Sequence, residues 1–235
     1  MRHRVFVAIN LPENIKNKLV EYQEKRPDLP VRWTKKENLH ITLMFLGYLI
    51  DEELLEVCNI TKEIALKNQS FSINLKKIIY GPPKKIPPRL VWVEGEKSEE
   101  LGKLQKDLEN SFLTSRATAK GVAELRSSPA SLRSAEEENL SSSPTRVATK
   151  GKEEDLSSSP SPVKGLKSES RPYTSHLTLG RIKTWEFKQI EPEERPEINE
   201  DINLSFEVNS IEVMESQLKR TGPRYTILES CPLKS

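Results

Sequence analysis

Cysteine, histidine and aromatic side chains are all scarce in this chain, and each scarcity removes a class of chemistry. Among 235 residues there are two cysteines, Cys58 and Cys231, in no C-x-x-C spacing. That excludes a zinc ribbon, a dithiol redox centre and a disulfide-stapled scaffold, and leaves two ordinary thiols in a reducing compartment. No run approaches the roughly 18 uncharged apolar residues of a membrane-spanning helix. The apolar run after Arg4 lasts about five residues before Asn10, Pro12 and Glu13, too short for the roughly 7 to 15 of a secretory core. A surplus of one charge is missing as well: 31% of residues are charged, yet the net charge is +2. There is no global basic field for coating nucleic acid, so any such contact has to be local. A soluble, cytoplasmic protein is expected.

Periodicity sets out two strand-then-helix units at the start. Residues 5–11 are an apolar, β-branched run that predicts a core strand, and Pro12 opens a helix with Ile15, Leu19 and Tyr22 at helical spacing. Residues 31–34 and 39–45 read as extended, with Gly47 ending the second run and Asp51 capping a helix that carries Leu54, Leu55, Val57, Cys58, Ile60, Ile64 and Leu66. Further strands are expected at 71–80, where Phe71, Ile73 and Leu75 alternate with polar residues, and at 90–93. Leu101, Leu104, Leu108 and Phe112 then mark a helix face. Order is expected again at 173–179, with Gly180 ending the strand, at 204–214 and, after the Gly222-Pro223 turn, at 225–228. The last two strands read as a closing hairpin.

Residues 114–170 differ in kind. They hold no aromatic residue, are dense in Ser, Pro, Lys and Glu, and repeat L-x-S-S-P at 125–129, 140–144 and 156–160. Such a composition buries too little apolar surface to offset the entropy of ordering it, so a disordered insertion is expected. Residues 1–113 and 171–235 are expected to form one domain around it.

The chemistry lies in two of the three histidines, which head nearly identical segments: Leu39-His40-Ile41-Thr42-Leu43 and Ser175-His176-Leu177-Thr178-Leu179. On a strand, side chains alternate faces, so each segment presents an imidazole and a hydroxyl on one face while its apolar residues anchor the other. A single histidine of this kind is more often structural. Two matched copies are not readily accidental. Imidazole can give or take a proton near neutral pH, so a matched pair is a candidate for acid-base work.

These paired H-x-T-x motifs resemble those of the 2H phosphoesterases, above all the bacterial and archaeal RNA 2′,3′-cyclic phosphodiesterases once called 2′-5′ RNA ligases. VFVAINLP, VRWTKKENLHITLMFLG, PPRLVWVEG, RPYTSHLTLGRIK and IEVMESQLKRTGPRYTIL all look like that family, in its order. Two positions depart from it. Met44 stands where an arginine is common, and Ser175 precedes the second histidine where proline is frequent.

The resemblance implies an α+β, bilobal 2H phosphoesterase fold, with two facing antiparallel sheets, outer helices and the two motifs on opposite walls of a groove. It implies hydrolysis of RNA 2′,3′-cyclic phosphate ends, such as those of tRNA fragments, to a 2′-phosphate, with 2′-5′ ligation as a side activity. His40 would be the acid on the departing 3′-oxygen and His176 the base on water, with Thr42, Thr178 and Arg181 on the phosphate. Arg181, five residues after His176, would face away on an unbroken strand, and Gly180 offers a bend. Tyr173 and Phe45 are candidate base-stacking rings, core packing being the favoured role for Phe45. No metal or other cofactor is expected, and the protein should be a monomer. Other readings are a 2H enzyme for another small cyclic phosphate or a 2′-5′ oligonucleotide, a non-catalytic RNA-end-binding domain, and a metal site of His3, His40 and His176.

Overall fold

The computed structural model describes residues 1–82, 86–127, 176–220 and 222–235, with the backbone alone over 116–127. The apolar run at the start forms β1 (His3–Asn10), and Pro12 leads into α1 (Glu13–Glu24). After β2 (Val31–Trp33) come β3 (His40–Leu49), α2 (Asp51–Lys67), β4 (Phe71–Gly81), β5 (Leu90–Gly95) and α3 (Glu99–Ser127). The chain then supplies β6 (His176–Ile182), α4 (Thr184–Gln189), β7 (Asn199–Val208), β8 (Ser210–Lys219) and β9 (Gly222–Pro232).

The strands form a sheet in the order β7-β4-β5-β6-β3-β1-β8-β9, with β2 paired to β6. Every pairing between named strands is antiparallel. Two halves can be told apart, β7-β4-β5-β6 with β2 and β3-β1-β8-β9. They meet where β3 and β6 pair through one position, Ile41 opposite Leu177. Both residues are completely buried, and truncating either to Ala should cost about 2–5 kcal/mol. The seam between the halves is thus fixed by the apolar residues of the two motifs.

One face of the sheet is covered. Ile15 and Leu19 of α1, Val57 and Ile64 of α2 and Leu101, Leu104 and Leu108 of α3 join Val5, Val7, Ile9, Leu43, Val91, Val93, Leu177 and Leu179 in one buried cluster. Burial of each such aliphatic side chain contributes about 1.5–3 kcal/mol. Among the described residues, the other face carries a small cluster of Phe6, Ala8 and Met214 with Tyr225 against it. Alternation along β1 separates the two sets, odd residues into the main core and even ones to the opposite face.

Several boundaries differ from the sequence reading. Gly47 does not end its strand: β3 continues to Leu49, with Gly47 at φ 83°. Gly180 lies inside β6, which runs on to Ile182. Its lack of a side chain serves close approach, since a Cβ there would stand 2.4 Å from Val31 Cγ1. Asp51 is the first residue of α2 rather than its cap, and Glu53 accepts the Ile50 N–H at 2.9 Å. The run 204–214 is divided at Asn209, with β7 pairing β4 at one edge and β8 pairing β1 and β9 in the other half. The closing hairpin is β8 and β9.

Helix α3 continues to Ser127, past the expected edge of the insertion at 113/114. Ala117, Lys120, Ala123, Glu124, Leu125 and Arg126 are ordinary or good helix formers, and a lack of aromatics does not prevent a helix. The rest of the expected insertion, from 128 on, lies outside the described residues.

Candidate active site

The single pair Ile41–Leu177 sets the site. In an antiparallel register it brings His40 abreast of Thr178 and Thr42 abreast of His176. All four side chains point away from buried Ile41 and Leu177, onto the face opposite the main core. Diagonal positions of this kind lie about 7–8 Å apart, which leaves room for one phosphate between the imidazoles.

Each motif is followed by a β-bulge at the same place. In β3, Thr42 pairs with Ala8 and Met44 with Val7, so Leu43 is the extra residue. In β6, Thr178 pairs with Trp92 and Gly180 with Val91, so Leu179 is extra. A bulge resets the alternation. The residue five after each histidine therefore returns to the histidine's face: Phe45 opposite Phe6 in β3, and Arg181 opposite Leu90 in β6. The bulge in β6 is held by buried Gln23, whose Nε2 donates to the Leu179 carbonyl at 3.1 Å, and by the Thr34 N–H at 2.9 Å to the same oxygen.

This arrangement settles two side chains differently from the sequence reading. Phe45 is 65% exposed and not a core residue, because the bulge turns Met44 inward in its place. Met44, at the position where the resemblance favours arginine, is buried in the main core and faces away from the histidines. Arg181 is exposed on the histidine face, and its charge acts on the Tyr225 hydroxyl. Tyr173 lies outside the described residues.

The imidazole of His40 is fixed at both nitrogens. Nδ1 lies 2.8 Å from the Asn38 carbonyl, which can only accept, so Nδ1 carries a proton. Nε2 lies 3.0 Å from Thr42 Oγ1 and, in the neutral ring, accepts from that hydroxyl. Phe6 at 5.0 Å and Tyr225 at 5.1 Å between ring centroids flank it. Burial lowers the His40 pKa below its ordinary value; the bond to Asn38 opposes this, and the Lys16 ammonium reinforces it. The Asn38 side chain donates from Nδ2 to the Pro223 carbonyl at 2.9 Å, tying the β8–β9 hairpin to the residue that orients His40.

His176 is set by other means. Its ring stacks on Trp92, with centroids 4.4 Å apart and planes 30° from parallel, and Glu94 pairs with it across β5. Gly81 makes room for that indole: a Cβ there would stand 2.2 Å from Trp92 Cδ2. Periodicity and motif spacing point to none of Asn38, Lys16, Trp92 and Tyr225. Asn38, Trp92 and Tyr225 do stand in the family-like stretches VRWTKKENLHITLMFLG, PPRLVWVEG and IEVMESQLKRTGPRYTIL, the one signal in the sequence that bears on them.

The third histidine belongs elsewhere. His3 bonds Glu215 at 2.8 Å through Nδ1 and Asp51 at 2.9 Å through Nε2, and those bonds raise its pKa. Among the described residues, no group of three or more His, Cys, Asp or Glu side chains is placed to hold a metal ion.

A face with two matched imidazole-hydroxyl pairs at the seam of a two-part antiparallel sheet is the arrangement that the resemblance to the 2H phosphoesterases implies. Comparison with known proteins agrees. Residues 9–92 match the model of the LigT like Phosphoesterase family. A protein of Methanocaldococcus jannaschii named RNA 2′,3′-cyclic phosphodiesterase is 28% identical over 96% of this chain and 98% of its own length. A solved protein of Thermus thermophilus covers 99% of this chain and 98% of its own, with a TM-score of 0.66 at 24% identity. LigT of Escherichia coli, solved with 3′-AMP, covers 100% of both chains with a TM-score of 0.64 at 20% identity. Residues 9–92 thus match the LigT-like phosphoesterases, the chain is similar to curated RNA 2′,3′-cyclic phosphodiesterases over nearly its whole length, and its fold is that of LigT. No described helix is long and apolar enough to cross a membrane.

Proposed function

We propose that this protein hydrolyses 2′,3′-cyclic phosphate ends of RNA to 2′-phosphates by acid-base catalysis between His40 and His176. The observation that carries this reading is the seam pair Ile41–Leu177, which brings both H-x-T pairs onto one open face. A phosphate between the imidazoles can be attacked from one side and lose its leaving group on the other. His176 takes a proton from water as the water oxygen bonds to phosphorus. The P–O3′ bond breaks, and His40 gives its proton to O3′. Because burial lowers the His40 pKa, the imidazolium formed beside the anionic phosphate is a stronger acid than a solvated one.

Thr42 and Thr178 turn their hydroxyls to the non-bridging oxygens, where charge grows, and Arg181 adds a cation on the same face. Phe45 offers its exposed ring to the terminal base. The chemistry requires no metal or cofactor. Residues 1–113 and 171–235 act as one catalytic domain, since strands from both build the sheet. The free thiols of Cys58 and Cys231 fit a cytoplasmic setting, and the working unit is a monomer.

The test is to incubate the protein, in EDTA, with an oligonucleotide ending in a 2′,3′-cyclic phosphate and to determine where the product carries its phosphate. A 2′-phosphate is expected. Activity that is lost on chelation and restored by a metal would overturn the mechanism. Stable binding without turnover would make the protein an RNA-end-binding domain instead.

A further inference from the structure

Beyond Phe45, strand β3 carries a second irregularity that the catalytic face does not need. Gly47 pairs with Val5 and Phe45 with Phe6, so Leu46 is again an extra residue. Without it Tyr48 would turn into the core. With it, Tyr48 pairs with Arg4 on the same face as Thr42 and Phe45, and it is 61% exposed. The local cost is a break in the ladder and a glycine at φ 83°. Leu43, Leu46 and Leu49 are buried beneath. Two bulges thus convert a strand's ordinary alternation into a straight row of outward side chains at 42, 45 and 48.

The row leads away from the histidines. Adjacent members are about two strand rises apart, roughly 7 Å, a step that successive bases of an extended single strand can follow. Arg4 is exposed beside Tyr48, and its charge reaches the Tyr225 hydroxyl next to His40. Exposed aromatic rings in file with a guanidinium beside them are what binding of single-stranded nucleic acid requires, rings for the bases and a cation for the backbone.

We propose that Tyr48 and Arg4 form a second nucleotide subsite, in which Tyr48 stacks on the penultimate base and Arg4 holds the phosphate joining the last two nucleotides. The proposal rests on the function proposed above. A 2′,3′-cyclic phosphate lies at a 3′ end, so all remaining RNA extends to the 5′ side, and this row is where it would run. The substrate class is then an RNA chain and not a free cyclic mononucleotide.

The test compares kcat/KM on a nucleoside 2′,3′-cyclic monophosphate and on a tetranucleotide with the same end, for the wild type, Tyr48→Ala, Tyr48→Phe and Arg4→Gln. Tyr48→Ala should lose about 10-fold on the tetranucleotide, mostly in KM, and nothing on the monophosphate, while Tyr48→Phe retains both rates. Arg4→Gln should weaken tetranucleotide use and lessen its salt dependence by about one phosphate contact. Equal losses on both substrates, or none on the tetranucleotide, would overturn the subsite. If the wild type turns over neither substrate, the proposed function fails instead. The subsite is then decided by fluorescence anisotropy with a 2′-phosphate-ended tetranucleotide, where Tyr48→Ala must weaken binding by a similar factor.

Discussion

The two halves of the site begin with the same sequence pattern and end with different chemistry. In β3 and β6 alike, a histidine is followed by threonine at +2, a bulged leucine at +3 and a side chain returned to the histidine's face at +5. In one half that last residue is Phe45 and in the other Arg181. One imidazole is flanked by Phe6 and Tyr225 and pinned to a backbone carbonyl. The other is stacked on Trp92 and has Glu94 as its cross-strand partner. A repeated strand can thus supply two matched proton-transfer groups while the neighbouring strands give each its own environment. The +5 positions present an aromatic ring in one half and a guanidinium in the other.

The strongest test of the comparison removes the matched part. His40→Ala and His176→Ala should each lower turnover by at least about 10²-fold with the melting temperature nearly unchanged, since acid-base groups contribute about 10²–10⁴ each. A wild-type-like rate in either would show that only one half is catalytic.

Next come the residues that differ. Arg181→Ala should reduce kcat by about 10²-fold, as expected for a donor to a transition-state oxyanion. Phe45→Ala should raise KM by about 10-fold and spare kcat, as expected for lost base stacking. If both variants change kcat and KM alike, the division of labour between the bulges is wrong.

A third test separates the two imidazoles by their surroundings. Tyr225→Ala removes one of the rings that bury His40, so its pKa should climb from below 6.5 toward that value, read from the ring protons by NMR. If His40 works as the acid, it then stays protonated to higher pH, and the alkaline limb of kcat/KM moves up with it. A limb that moves on the acid side instead would exchange the roles of the two histidines.

The smallest effect concerns the histidine outside the pair. Bonds to Glu215 and Asp51 raise the folded-state pKa of His3, so its contribution to stability is fully present below the unfolded pKa of about 6.5 and lost as pH rises through the folded value. His3→Gln should lower the melting temperature slightly at about pH 6 and hardly at all at about pH 9, with turnover untouched. A loss of turnover would draw His3 into the site.

Much of the site is legible in the order of amino acids. Two H-x-T-x segments on strands, with apolar residues to anchor them, mark the candidate reacting groups, because side-chain alternation is a local property of an extended chain. Pro12 and the spacing of Ile15 and Leu19 likewise locate α1. The end of α3 is not legible in this way, because composition describes the burial available to a segment and not the helix propensity of its first residues. The split at Asn209 is hidden too, because it shows only in the pairing, β7 with β4 at one edge and β8 with β1 and β9 in the other half.

The sequence by itself determined which two imidazoles are matched candidates for proton transfer and that each sits beside a hydroxyl. Tertiary structure alone decided that the two pairs share a face, that Met44 is buried while Phe45 and Arg181 are presented, and that the imidazoles differ in environment. The reason is that a bulge is defined only against the partner strand. Val7 and Ala8 pass over Leu43, and Val91 and Trp92 pass over Leu179, and no pattern within β3 or β6 records which residue its neighbour will leave unpaired.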